Sequence, residues 1–226
     1  IGGLNGAHVV ALAYPSAHGF AASGRDSMVT MFELKTLEVL GRTRAAEDAD
    51  AILYYPVTRR VFTFNGDAAS SSVLDAVSGK AIGTIDLGGK PEFGVSAGDG
   101  KLYANIEDKN EVVEIDAKAM KVLRRWSIAP CDEPTGLAID RARHRLFSVC
   151  HSKVMAISDA KAGKLLTTVP IGEGVDAAAF DPSTGRAFAS NGAGTLTAVH
   201  EESPDSFHVV ANVATKAGAR TMTIDS

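Results

Sequence analysis

Short runs of alternating apolar and polar residues, broken every few positions by Gly, Pro, Asp or Ser, fill the chain from end to end. This is the pattern of half-buried strands joined by tight turns. Apolar residues at i, i+3 and i+4 never persist for three turns, so no long helix is predicted. Lys161 to Leu166 reads better as a tight turn than as a turn of helix. A small residue and an aromatic recur together within these runs, anchored at Phe20, Phe62, Tyr103, Phe147 and Phe188, with spacings of 42, 41, 44 and 41. The surrounding segments, from Gly19-Phe-Ala-Ala-Ser23 to Ala187-Phe-Ala-Ser-Asn191, each have the length of one strand.

Every unit repeats one order of parts. A short apolar run such as Gly136-Leu-Ala-Ile139 is followed by a turn such as Asp181-Pro-Ser-Thr-Gly185, and then by the aromatic strand. A third strand such as Val112-Val-Glu-Ile115 and a second turn such as Asp75-Ala-Val-Ser-Gly-Lys80 lead to a fourth, such as Leu165-Leu-Thr-Thr-Val169. Four strands in a unit of about 42 residues, repeated, predict an all-β fold: a β-propeller of four-stranded antiparallel blades. Its blades run approximately over 8–49, 50–91, 92–134, 135–175 and 176–219 within one domain. The register predicts remnants at 1–7 and 220–226, with a sixth first strand in Ala219-Arg-Thr-Met-Thr-Ile-Asp225, and so an incomplete ring. Its open blade edges would pair with the missing blades or with another chain. A five-bladed ring with short tails is the alternative.

Composition narrows the function. The 27 acidic against 23 basic residues give a net charge of −4 with His neutral. That balance, with no basic block, disfavours duplex nucleic acid as a partner. No apolar stretch is long enough for a membrane-spanning helix. The two cysteines cannot build a disulfide-rich scaffold or a four-cysteine zinc site. In propeller topology, however, the link into a blade and the loop after its second strand share a face. Cys131 and Cys150 therefore sit where a disulfide would close; two free thiols are the alternative.

Catalytic signatures are missing: the sequence has no G-x-S-x-G elbow, no phosphate loop and no H-E-x-x-H. Glu201-Glu202 with Asp205, and His144 after Arg141 and Arg143, read as solvated faces. Trp126, beside Arg124 and Arg125, reads as inter-blade packing or as a stacking platform. One register position does stand out. The residues opening successive first strands are His8, Asp50, Glu92, Thr135, Asp176 and Arg220, spaced 42, 42, 43, 41 and 44 apart, and all are polar. First strands are innermost, so these side chains are expected around one channel mouth, with Asn65 and Asn191 as outer members. Three carboxylates in one ring would repel unless a cation or Arg220 compensated them. If a metal bound, Asp50, Glu92 and Asp176 would hold a hard ion weakly, Ca²⁺ or Mg²⁺; a solvated rim with no cofactor is the alternative.

Val61-Phe-Thr-Phe-Asn-Gly66 and Ala187-Phe-Ala-Ser-Asn-Gly192 resemble the Tyr-Val-Thr-Asn motif of the bacterial YVTN-type, YncE-like propellers. The turns Asp75-Ala-Val-Ser-Gly-Lys80 and Asp181-Pro-Ser-Thr-Gly-Arg186 are similar to that family's turns, and the likeness covers all five units. Unit three departs from it, with Asn105 one residue early, and unit four ends in Cys150-His. The resemblance implies a seven-bladed ring exported to the periplasm or cell surface. It implies a non-catalytic binding or scaffold protein for a small polar ligand or a protein. A metal-dependent hydrolase or lyase is the first alternative, and single-stranded nucleic-acid binding the second.

Overall fold

The computed structural model describes residues 1–224. Among these residues twenty strands form five four-stranded antiparallel sheets, each a meander in chain order. The first sheet holds β1 (Ala7–Ala13), β2 (His18–Ser23), β3 (Met28–Glu33) and β4 (Val39–Arg44). The second holds β5 (Ala49–Tyr55), β6 (Arg60–Asn65), β7 (Ser70–Asp75) and β8 (Ala81–Asp86). The third holds β9 (Pro91–Ser96), β10 (Lys101–Ile106), β11 (Glu111–Asp116) and β12 (Lys121–Ser127). The fourth holds β13 (Pro134–Asp140), β14 (Arg145–Cys150), β15 (Val154–Asp159) and β16 (Lys164–Pro170). The fifth holds β17 (Val175–Asp181), β18 (Arg186–Asn191), β19 (Thr195–Ser203) and β20 (Ser206–Ala214). The aromatic anchors fall on β2, β6, β10, β14 and β18, the second strand of every sheet. The only helices among the described residues are three single 3₁₀ turns. Residues 1–6, expected as a strand end with its link, carry no strand. Nor do residues 219–224, expected to open a sixth blade; the last two residues of that expected strand and tail lie outside the described residues.

The chain divides into two compact units: Ile1–Tyr103 with Glu114–Leu123, and Ala104–Val113 with the chain from Arg124 onward. In the first unit the faces of the first two sheets meet over Phe20, Val29, Ile52, Val61 and Leu74. In the second unit Phe147 stacks on Phe180 at 5.3 Å and meets Phe207 edge-on at 6.1 Å, within a cluster that includes Met155, Ile157 and Val199. Each fully buried aromatic contributes about 1.5–3 kcal/mol. The repeat is thus conserved within the chain because each sheet must cover its neighbour.

The turns follow from their aspartates. Asp75 Oδ1 accepts N–H bonds from Val77 and Ser78, and Asp116 Oδ1 those of Lys118 and Ala119. The Ser78 and Ala119 amides respectively dominate in holding these carboxyls below their ordinary range. Lys161–Gly163 is likewise a turn on Asp159, not helix.

Cys131 and Cys150 form a disulfide with Cα atoms 5.6 Å apart, and both residues are fully buried. The bridge closes a loop of sequence separation 19. Reduction with alkylation is expected to remove about 3 kcal/mol of stability. The urea midpoint of native against alkylated protein measures this, and coincident midpoints would leave the bridge without a stabilising role.

One surface expectation is corrected. Glu201 is 2% exposed, not solvated, because β19 and β20 run for nine residues each and carry their hairpin over the Asp140–Arg145 turn. Arg143 donates there to the Glu201 carbonyl at 3.0 Å, and Arg145 to the Pro204 carbonyl at 2.7 Å.

Candidate functional site

A recurring hydrogen bond sets the stage for the site. The link entering a sheet gives its carbonyl to the loop after that sheet's second strand. In the first unit Gly24 N–H donates to Gly6 O at 3.1 Å and Gly66 N–H to Asp48 O at 2.8 Å. In the second unit His151 does so to Glu133 and Gly192 to Gly174. The link residue takes a positive φ in each: 69° at Gly6, 59° at Asp48, 49° at Glu133 and 68° at Gly174. Glycine adopts this region freely, and Asp tolerates it better than most residues. At Asp48, as at Glu133, a carboxylate therefore stands where the Gly6 and Gly174 links have no side chain.

That carboxylate dictates its neighbours. A Cβ on Gly66 would lie 2.6 Å from Asp48 Oδ2, so any side chain there would push the carboxylate aside. A Cβ on Gly24 would lie 3.2 Å from Asp48 Oδ1 and 3.6 Å from His8 Nε2. Asp48 and His8 therefore close tightly over Gly24, and a side chain there would press on both. His8, on β1, turns its other nitrogen to Asp50 on β5, with Nδ1 2.7 Å from Oδ1. With Nδ1 on Asp50, Nε2 is the ring nitrogen left on the Gly24 side.

His8, Gly24 and Asp48 line a cleft of about 440 Å³ together with Arg25, Ser27, Glu47 and Asp67. Ser27 is 8% exposed. Three carboxylates, one imidazole and one guanidinium give the cleft an acidic balance. The arrangement can hold a ligand that donates hydrogen bonds, and the Asp50–His8 pair holds the imidazole in a fixed direction.

The predicted residues divide unevenly. His8 and Asp50 come together as described. Glu92, on β9, is 12% exposed and lies 3.7 Å from Lys90. Asp176, on β17, is 3.4 Å from Arg220. Each carboxylate thus has a cationic neighbour that relieves the expected repulsion. Among the described residues no three His, Cys, Asp or Glu side chains gather as metal ligands.

Three predicted residues are spent inside the sheets. Thr135 is 4% exposed and donates to the Val149 carbonyl. Asn65 is fully buried; its amide donates to Ser70 and Ser72, and its carbonyl accepts from Thr63 at 2.7 Å. Asn191, also fully buried, donates to Thr195 and Thr197. Trp126 is 7% exposed with Arg124 5.5 Å over its ring, which makes it packing rather than an open stacking platform. Asp48, Ser27 and Gly24 were missed by sequence reading. The signal for Asp48 was present: it sits two residues before Asp50, as Gly6 sits two before His8 and Gly174 two before Asp176.

No protein-family model and no curated protein sequence matches the chain. Solved structures do. Hydrazine synthase of Kuenenia stuttgartiensis superposes with a TM-score of 0.78 at 15% identity, over 91% of this chain and 66% of that one. A chain of the mitotic checkpoint complex superposes at 0.79 and 12% identity, over 93% and 65%. The β-propeller domain of Myceliophteria thermophila Cps50 (Swd1) superposes at 0.76 and 10% identity, over 93% and 72%. The fold is a β-propeller. The chain spans about two thirds of the length of the first two of these chains. At such identities the likeness carries the fold alone, and the propeller's chemistry rests on its own side chains. Among its described residues no helix is long and apolar enough to cross a membrane.

Proposed function

We propose that this propeller is a non-catalytic binding or scaffold protein of the YncE-like kind, which takes a small polar ligand in the cleft beside His8. The observation that carries the reading is the cleft of about 440 Å³ itself, which gathers His8, Arg25, Ser27, Glu47, Asp48 and Asp67 with the imidazole held from behind by Asp50. Propellers commonly place ligands where strand ends and loops converge on a rigid frame. The YVTN-like strands and Asp-Gly turns support the family, and with it export to the periplasm or cell surface. The buried Cys131–Cys150 disulfide suits such an oxidising compartment.

A thermal-shift panel of amines, carboxylates, sugars and divalent cations tests the reading on wild type and Gly24→Val. Valine pushes a side chain between Asp48 and His8 and crowds the cleft, while leaving His8, Asp48 and Asp50 in the chain. A compound is expected to raise the wild-type melting temperature by several degrees and to lose that effect in the variant. Equal shifts in both proteins, or none in either, would remove the cleft as the site. The Asp50–His8 pair also gives the hydrolase or lyase reading a foothold, since an imidazole so oriented suits a general base. Turnover of a bound compound, lost in His8→Ala, would favour that reading over plain binding.

A further inference from the structure

Two sheet faces stay uncovered, and by register they are the two halves of one interface. Cross-strand partners share a face. In the first sheet Phe20 pairs with Ala11 and Met31, and that face packs on the second sheet. The opposite face carries Val10 and Leu12 on β1, Phe32 on β3 and Val39 on β4. In the second sheet Ile52 and Tyr54 hold the positions of Val10 and Leu12, and the first sheet packs on them. Ile52 is 7% exposed, whereas Val10 is 47% exposed. The fifth sheet shows the complement. Its Ala187, Ala189 and Val199 pack on the fourth sheet, while Phe188, Leu196 and Val213 lie on the other face. Those three hold the register of Phe147, Met155 and Val169, which the fifth sheet covers. Val169 is 7% exposed and Val213 51%.

We propose that the chain associates head to tail with a second copy of itself, the free face of the fifth sheet in one copy packing on the free face of the first sheet in the next. The occupant follows from the register. Within the chain, the face that bears Ile52 is met by the Phe20 face of the sheet before it. Phe188 holds the Phe20 position in the fifth sheet, and Val10 holds the Ile52 position in the first. The contact between copies thus continues the order in which the first sheet packs on the second and the fourth on the fifth. None of the side chains named on the two free faces is charged, whereas a repeat that ends in water carries a polar outer face. The two surfaces differ, so the contact is heterologous, and each copy still offers one free face of each kind after pairing.

The test is sedimentation velocity of the full chain from micromolar to hundreds of micromolar. The average mass is expected to rise with concentration from the chain mass of 23.5 kDa to beyond twice that value. Leu12→Lys puts a charge on the free face of the first sheet, and Val213→Lys does the same on the fifth. Both side chains are exposed, so neither change disturbs a packed position. Each variant alone is expected to associate at least about tenfold more weakly, because every contact then buries a lysine. An equimolar mixture of the two should recover association and stop at the dimer, since one intact face of each kind remains. If the wild type keeps the chain mass throughout, the proposal falls. If both variants associate as the wild type does, other surfaces make the contact and the proposal falls. If the wild type associates and the mixture does not recover, the same face is used by both copies and the head-to-tail arrangement falls.

Discussion

Glu201→Gln is expected to raise the melting temperature at pH 8 by roughly 5–10 °C and to leave it unchanged near pH 4. Burial pushes the Glu201 carboxyl up to about 7, helped by the charge of Asp140 and by a hydrogen bond with it, against the opposing pull of Arg143 and Arg145. The geometry explains the direction. The side chain has no solvent exposure, and Arg143 Nη1 reaches Oε1 only at 3.6 Å. Neither carboxylate oxygen has a conventional hydrogen-bond donor. Arg145, the other cation nearby, is shared with Asp159 at 3.3 Å and Asp205 at 3.7 Å.

The folded-state value lies above the ordinary 4.5, so the folded protein keeps a proton between about pH 4.5 and 7 that the unfolded chain releases. Stability from this group is therefore complete below that window and lost as pH rises through it. A shift of this size corresponds to at most about 3 kcal/mol, and in a domain of this length about 2–4 °C accompanies each kcal/mol. Glutamine mimics the protonated acid at every pH and can still donate to Asp140. Melting curves of both proteins from pH 4 to 8 measure the difference, in which contributions from other groups cancel. Parallel curves would mean that Glu201 is ionised throughout and held by the arginines.

The blade repeat was legible because it is a packing requirement. Phe20, Phe62 and Phe147 are fully buried at the period read from the chain. The Asp-led turns were legible for a local reason: Asp75 and Asp116 bond amides two and three residues on, without help from distant sequence. Half of the candidate site was legible too. His8 and Asp50 were singled out by register, and they meet at 2.7 Å. What escaped depends on side-chain direction and partner distance. Asn65 and Asn191 end strands near loops, yet they turn into the sheets, where Ser70, Ser72, Thr195 and Thr197 wait for them. Glu201 escaped because nothing in Glu201-Glu202 announces a hairpin long enough to reach the Asp140–Arg145 turn. The same residues on six-residue strands would have been the expected solvated face.

Asn105→Leu is expected to cost about 3–5 kcal/mol. Asn105 lies two residues after its anchor Tyr103, whereas Asn65 and Asn191 lie three after theirs. Strand side chains alternate faces, so the one-residue displacement turns Asn105 to the face opposite that of its counterparts. There it leaves its own sheet. In the second unit its amide donates to the carbonyls of Thr135 at 2.9 Å and Gly136 at 3.1 Å on β13, and its carbonyl accepts from Ser148 Oγ on β14 at 2.8 Å. What reads in the sequence as a departure from the YVTN-like pattern is a fully buried staple between successive sheets.

Leucine fills a similar volume but strands two carbonyls and a hydroxyl, each costing about 1–3 kcal/mol when buried unpaired. Ser148→Ala removes only the third bond, and about 1–2 kcal/mol is expected for it. The two losses should not add in the double variant, because without Asn105 the serine hydroxyl has nothing to donate to. Urea unfolding of the two single variants and the double variant gives the coupling. Strict additivity would mean that Asn105 acts through its volume alone.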